Sequence, residues 1–160
     1  MQRKYSLEPG LTYLLVERGT AHGYEALKQL MEEGYEGLCL TRRNPEIVRK
    51  RYALDCPVIW LARTEGVPDH IQAINPVHIL KIHTAIKAFL DAKKRAAILL
   101  DGLEYLIVQN DFLSVLKLVA LMNEAVAIAG STMLIPANPN ALEPKQLGIL
   151  ERECVRLDLS

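Results

Sequence analysis

The chain lacks an excess of either charge: 19 lysines and arginines balance 19 aspartates and glutamates. That argues against a nucleic-acid binder working through a general positive field, and leaves only a local patch to attract an anion. It has three cysteines, Cys39, Cys56 and Cys154, and no Cys-x-x-Cys pair, so the sequence holds no zinc ribbon or dithiol motif. Of the four histidines, His78 and His83 stand five apart, off the shared helix face that a metal pair needs. His22 and His70 read as loop residues, and no metal site or cofactor is expected. There is no leader-like apolar stretch behind the basic Met1–Tyr5 segment. No uninterrupted run nears the roughly 20 apolar residues of a membrane span. The longest apolar region, Phe112 to Ala129, is broken by Ser114, Lys117 and Asn123-Glu124. These absences lead to the expectation of a soluble cytoplasmic protein.

What is present is ordinary for a globular domain: 160 residues, half of them hydrophobic and 24% charged. Such a chain can bury roughly 70% of its unfolded surface in one core. Strand-like and helix-like segments alternate along it. Thr12 to Val16, Gly37 to Thr41, Pro57 to Leu61, Ala96 to Leu100 and Thr132 to Ile135 are short apolar runs, the pattern of buried strands. Between them lie helical stripes: Ala26, Leu27, Leu30 and Met31, closed by Gly34; Ile79, Ile82, His83, Ile86, Phe89 and Leu90 within Pro76–Lys94; the apolar segment 112–129; and a last helix over about 144–154. Three Asn-Pro dipeptides punctuate the pattern. Asn44-Pro45 and Asn75-Pro76 read as helix caps with proline in the first turn, and Asn138-Pro139 as the start of a loop. Val155, Leu157 and Leu159 alternate with Arg156 and Asp158, which suggests a short terminal edge strand. With no repeat or linker, the expectation is one domain over 1–160. Its fold class is α/β, a three-layer α/β/α sandwich around a mostly parallel five-stranded sheet.

In such a sheet, ligands bind beyond the carboxyl ends of the strands. The residues expected on that rim are Glu17 and Arg18, Arg42 and Arg43, Arg63, and Asp101 with Glu104. The first turn, Glu17-Arg-Gly-Thr-Ala-His-Gly-Tyr-Glu25, decides what the rim can do. A phosphate loop needs GxxxxGK[ST], because backbone amides wrap phosphates, lysine reaches their outer oxygens and a hydroxyl binds magnesium. Here Gly19 and Gly23 are four apart, and Tyr24-Glu25 stands where lysine and serine or threonine belong. GxGxxG and GxSxG are also absent. No catalytic set is therefore expected.

Five stretches carry a resemblance: "GLTYLLVER" (10–18), "EGLCLTRRNPEIVRK" (36–50), "PVIWLARTEG" (57–66), "LLDGLEYLIVQNDF" (99–112) and "LIPANPNALEPKQLGILER" (134–152). Together the chain resembles the archaeal domain-of-unknown-function family 835. That resemblance implies a RecA/KaiC-type ATPase core without its phosphate loop, found alone or joined to membrane and sensory modules in archaea. It also implies strand order 5-1-4-3-2, with Asp101 in the position of an ATPase's magnesium-associated acid.

The leading functional expectation is a non-catalytic regulatory or interaction domain that binds a protein partner or itself. Its expected contact face is helix 112–129, through Phe112, Leu116, Val119 and Met122, giving a two-fold homodimer. The alternative is a sensor that holds an anionic or nucleotide-like molecule through Arg18, Arg42, Arg43 and Arg63. A nuclease with a metal on Glu17, Asp101 and Glu104 ranks below both. Nucleic-acid and membrane partners are not expected. Asp101 is expected to bond backbone or a rim arginine such as Arg18 or Arg42.

Overall fold

The computed structural model describes residues 3–159. Along the chain run β1 (Thr12–Val16), α1 (Ala21–Glu32), β2 (Glu36–Thr41), α2 (Pro45–Tyr52), β3 (Val58–Leu61) and β4 (Gln72–Ile74). They are followed by α3 (Ile79–Ala92), β5 (Ala96–Asp101), α4 (Leu103–Gln109), α5 (Phe112–Ala129), β6 (Thr132–Ala137), α6 (Pro144–Glu153) and β7 (Val155–Asp158). The strands form one seven-stranded sheet in the order β4-β3-β2-β5-β6-β1-β7, parallel at every pairing.

This corrects the expected five strands and their order. The five anticipated strands are β1, β2, β3, β5 and β6, and they run β3-β2-β5-β6-β1 rather than 5-1-4-3-2. β6 lies between β1 and β5, pairing with both. Hydrophobic periodicity marks where strands are, and neighbour choice comes from crossovers and packing. β4 escaped notice because three residues show no period. The alternation over 155–159 does form the edge strand β7, parallel to β1 from Tyr13↔Val155 to Val16↔Asp158.

Period-two alternation sends successive side chains to opposite faces of the sheet. Ile98 and Leu100 of β5 enter one core with Ile82, Ile86, Leu106, Val119 and Leu150. Ala97 and Leu99 enter the other with Leu27, Leu30 and Val48. Helices α3 to α6 thus cover one face, and α1 and α2 the other. Right-handed crossovers explain the division. Helical connections that move towards the β4 edge cross the α1/α2 face, and those that move towards the β7 edge cross the opposite one. Adjacent strands therefore send their connections to opposite faces between β2 and β5, and again between β6 and β1. These are the places where an open parallel sheet leaves a crevice at its carboxyl ends.

Local chemistry sets the helix ends. Asn44 accepts from the Glu46 amide at 2.9 Å and Pro45 opens α2, as the dipeptide suggested. Asn75-Pro76 forms a turn instead: the His78 amide donates to the Asn75 carbonyl, and α3 starts at Ile79. Asn138-Pro139 belongs to a loop, and the Gln146 side chain accepts from the Glu143 amide where α6 begins. His22 is helical, in the first turn of α1, rather than in a loop.

The face of α5 also differs from expectation. Val119 and Met122 are completely buried against the sheet, and Phe112 and Leu116 pack on the same core. Those four residues hold α5 to its own domain. The outward apolar residues are Leu113, Leu121 and Ile128. By length and composition α5 is apolar enough to span a bilayer. Here it packs on the sheet, with Val115, Leu118 and Val126 also buried.

Candidate functional site at the strand ends

A hollow of about 250 Å³ opens where both crevices meet the rim. Its walls come from the segment after β1 (Arg18 to Thr20), after β2 (Arg42, Arg43), after β5 (Asp101, Gly102, Glu104, Tyr105) and after β6 (Pro136, Asn138, Ala141). Five of the anticipated rim residues converge: Arg18, Arg42, Arg43, Asp101 and Glu104. Glu17 is beneath the surface and only 3% exposed. Arg63, beyond β3, does not line the hollow.

Asp101 ends β5 and is almost wholly buried. The Tyr24 hydroxyl donates to its Oδ2 at 2.6 Å, and Thr41 Oγ1 donates to the same oxygen at 3.0 Å. The Arg43 guanidinium is 3.9 Å away. Its partners are thus two hydroxyls and Arg43, in place of the anticipated Arg18 or Arg42. Tyr52 lies flat on Tyr24, with ring centroids 4.0 Å apart, which fixes the plane of the donor. Burial, followed by the nearby Cys39 and Asp101, pushes the Tyr24 hydroxyl far above the ordinary phenol range, so it remains a proton donor. Tyr24, Thr41 and Tyr52 were not anticipated. The only signal was Tyr24 at the place of a phosphate-loop lysine, which had been read as an absence.

The first turn is filled from within. The two carboxylate oxygens of Glu17 accept from the backbone amides of His22 and Gly23, each at 3.1 Å. Those amides open α1, where a helix presents unsatisfied donors and the positive end of its dipole. Thr20 precedes the helix and its side chain caps nothing, so Glu17 performs the capping. Burial pushes the Glu17 carboxyl up, against the pull of the two amides. Gly23 is required by close packing: a Cβ there would stand 2.6 Å from Pro136 Cγ.

Glu104 is tied down in a similar way. Its Oε1 accepts from the Asn138 amide at 2.6 Å, and burial raises its pKa while that bond lowers it. The Asn138 side chain in turn donates to the Arg18 carbonyl, which joins the β1 and β6 loops. Glu17, Asp101 and Glu104 do not converge on a metal position, and no cluster of three potential ligands exists among the described residues. Arg42 stacks over the Tyr105 ring, 4.5 Å from its centroid. Among the described residues, neither Arg18 nor Arg42 forms an ion pair. The rim therefore has carboxylates that are satisfied internally and two arginines that remain open.

This is the core shared with KaiC-like and RecA-like proteins. The KaiC-like protein PH0186 of Pyrococcus horikoshii superposes with a TM-score of 0.60 at 18% identity, over 95% of this chain and 74% of its own. A second P. horikoshii protein, PH0250, gives 0.65 at 15% identity, over 96% and 84%. The flagellar accessory protein FlaH of Methanocaldococcus jannaschii gives 0.65 at 12% identity, over 96% and 72%. The chain itself belongs to the family described as "Protein of unknown function (DUF835)", whose model matches residues 16–154. No curated protein matches it significantly.

Proposed function

We propose that this chain is a non-catalytic interaction domain built on a KaiC/RecA-like frame. One observation carries the reading: the Glu17 carboxylate occupies the α1 amides that a phosphate would need. A phosphate at that turn must displace a buried anion, and no lysine follows to hold it. Tyr24, at the lysine's position, is bound to Asp101 instead. That bond engages the carboxylate that would otherwise be available near a magnesium ion. The partner-binding half of the proposal draws on exposed apolar side chains in the helical layer. Leu80, Val108 and Ile128 are 77%, 78% and 89% exposed. The likeness to FlaH, named as a flagellar accessory protein, is in keeping with a role exercised through partners.

The test is turnover of ATP and GTP with magnesium by purified protein. The expected result is no hydrolysis above buffer. Magnesium-dependent turnover that disappears in Asp101→Asn would overturn the proposal.

A second reading has its own observation: Arg18 and Arg42 face the hollow without ion-pair partners. On this reading the rim holds a small anion as a sensor. Stabilisation of the wild-type chain by a phosphate or nucleotide, abolished in Arg42→Ala, would favour it.

A further inference from the structure

The sheet has two edges, and they differ. β4 is three residues long, Gln72–Ile74. β7 continues in extended form to Leu159, whose amide donates to the Val16 carbonyl at 2.9 Å. Backbone groups alternate in direction along a strand. Since Leu159 points its amide at β1, Val155 and Leu157 do the same. Arg156 and Asp158 therefore direct their N–H and C=O groups outward, away from the sheet.

The sequence of this edge is its own complement. Val155-Arg-Leu-Asp-Leu159 reads apolar, plus, apolar, minus, apolar in one direction, and apolar, minus, apolar, plus, apolar in the other. We propose that two copies of the chain pair antiparallel through β7 about a two-fold axis at Leu157. This register places Arg156 of each copy opposite Asp158 of the other. Directly opposite residues lie on the same face of the sheet, so two ion pairs form on one face. On the other face Leu157 meets Leu157, and Val155 meets Leu159. The outward amides belong to Arg156 and Asp158, and these are the residues placed opposite each other. Each such couple exchanges two backbone hydrogen bonds, four in all. The backbone phase and the charge pattern thus select the same register independently.

The single chain already shows what this edge needs. Arg156 folds back onto Asp158 of its own strand and onto Glu151 of α6, and Val155 is 39% exposed. Charged side chains at a sheet edge ordinarily deter pairing with unrelated strands. Here the alternation of sign makes an identical strand the matching partner. A net charge of zero leaves no long-range repulsion between copies. The interface lies at the sheet edge, away from the residues first expected on α5, and it is independent of what the rim binds.

Light scattering tests it. Wild type should run at twice the 17.9 kDa chain mass. Asp158→Arg places arginines opposite each other and should weaken the dimer by about tenfold or more. The charge-swapped R156D/D158R chain should dimerise again. Mixing R156D with D158R should give a heterodimer, since each acidic edge then faces a basic one. Melting followed by circular dichroism shows that each variant is folded. A monomeric wild type, or a D158R chain that stays dimeric, would overturn the inference. None of these results depends on nucleotide turnover, so this inference and the non-catalytic reading fail separately.

Discussion

Replacing Tyr24 by phenylalanine removes one hydroxyl and little else. The ring is fully buried and stacked on Tyr52, and phenylalanine keeps both features. What is lost is a 2.6 Å hydrogen bond to a buried carboxylate. Bonds to charged groups contribute about 1.5–3 kcal/mol, because the stranded acceptor keeps its desolvation cost. Asp101 retains Thr41 and the more distant, partly exposed Arg43, which holds the expected loss to the middle of that range, about 2 kcal/mol. For a chain of this size that corresponds to a fall in Tm of roughly 4–8 °C. Urea unfolding should show a lower midpoint with an unchanged slope. The cycle with Asp101→Asn should reveal coupling of about 1 kcal/mol, since the two residues touch. A Tyr24→Phe effect below about 0.5 kcal/mol, or strict additivity with Asp101→Asn, would refute the claim that this bond locks the rim.

Gly23→Ala should destabilise the chain by about 1–3 kcal/mol, because its methyl would meet the rigid Pro136 ring at 2.6 Å; an unchanged unfolding midpoint would contradict the packing described. Burial raises the pKa of Glu104, so the folded chain holds a proton that the unfolded chain has already released. Stability should therefore fall as pH rises from the ordinary carboxylate range through the raised value, the reverse of the usual carboxylate trend. Glu104→Gln should flatten that fall in urea melts at mildly acidic and neutral pH, and a steeper fall in the variant would contradict the assignment.

The parts of the fold visible in the sequence are those fixed by local pattern. β5 is legible because five apolar residues end at Asp101, and α2 because Asn44-Pro45 is both cap and first turn. The rim arginines could be placed by counting from strand ends, which is why Arg18, Arg42 and Arg43 converge as expected. Arg63 does not, because β3 lies beyond β2, one strand further from the crevices. The strand order needed tertiary information: nothing local says that β6 separates β5 from β1. Likewise, an apolar count along α5 gives the amount of greasy surface without its direction, so Val119 and Met122 proved to be core. The bond between Tyr24 and Asp101 spans 77 positions in sequence, and no spacing rule announces it. α4 was hidden by brevity, as seven residues following directly on β5.

The central claim is that Glu17 fills the anion-accepting turn of a KaiC/RecA-like frame. Glu17→Ala frees the amides of His22 and Gly23 and removes the buried negative charge. Thermal unfolding of wild type and variant across a phosphate titration measures the difference directly, because a ligand that binds only the folded state raises its stability. Phosphate should raise the Tm of Glu17→Ala well beyond any rise in wild type. Equal rises in the two proteins, or a rise in wild type alone, would contradict the claim.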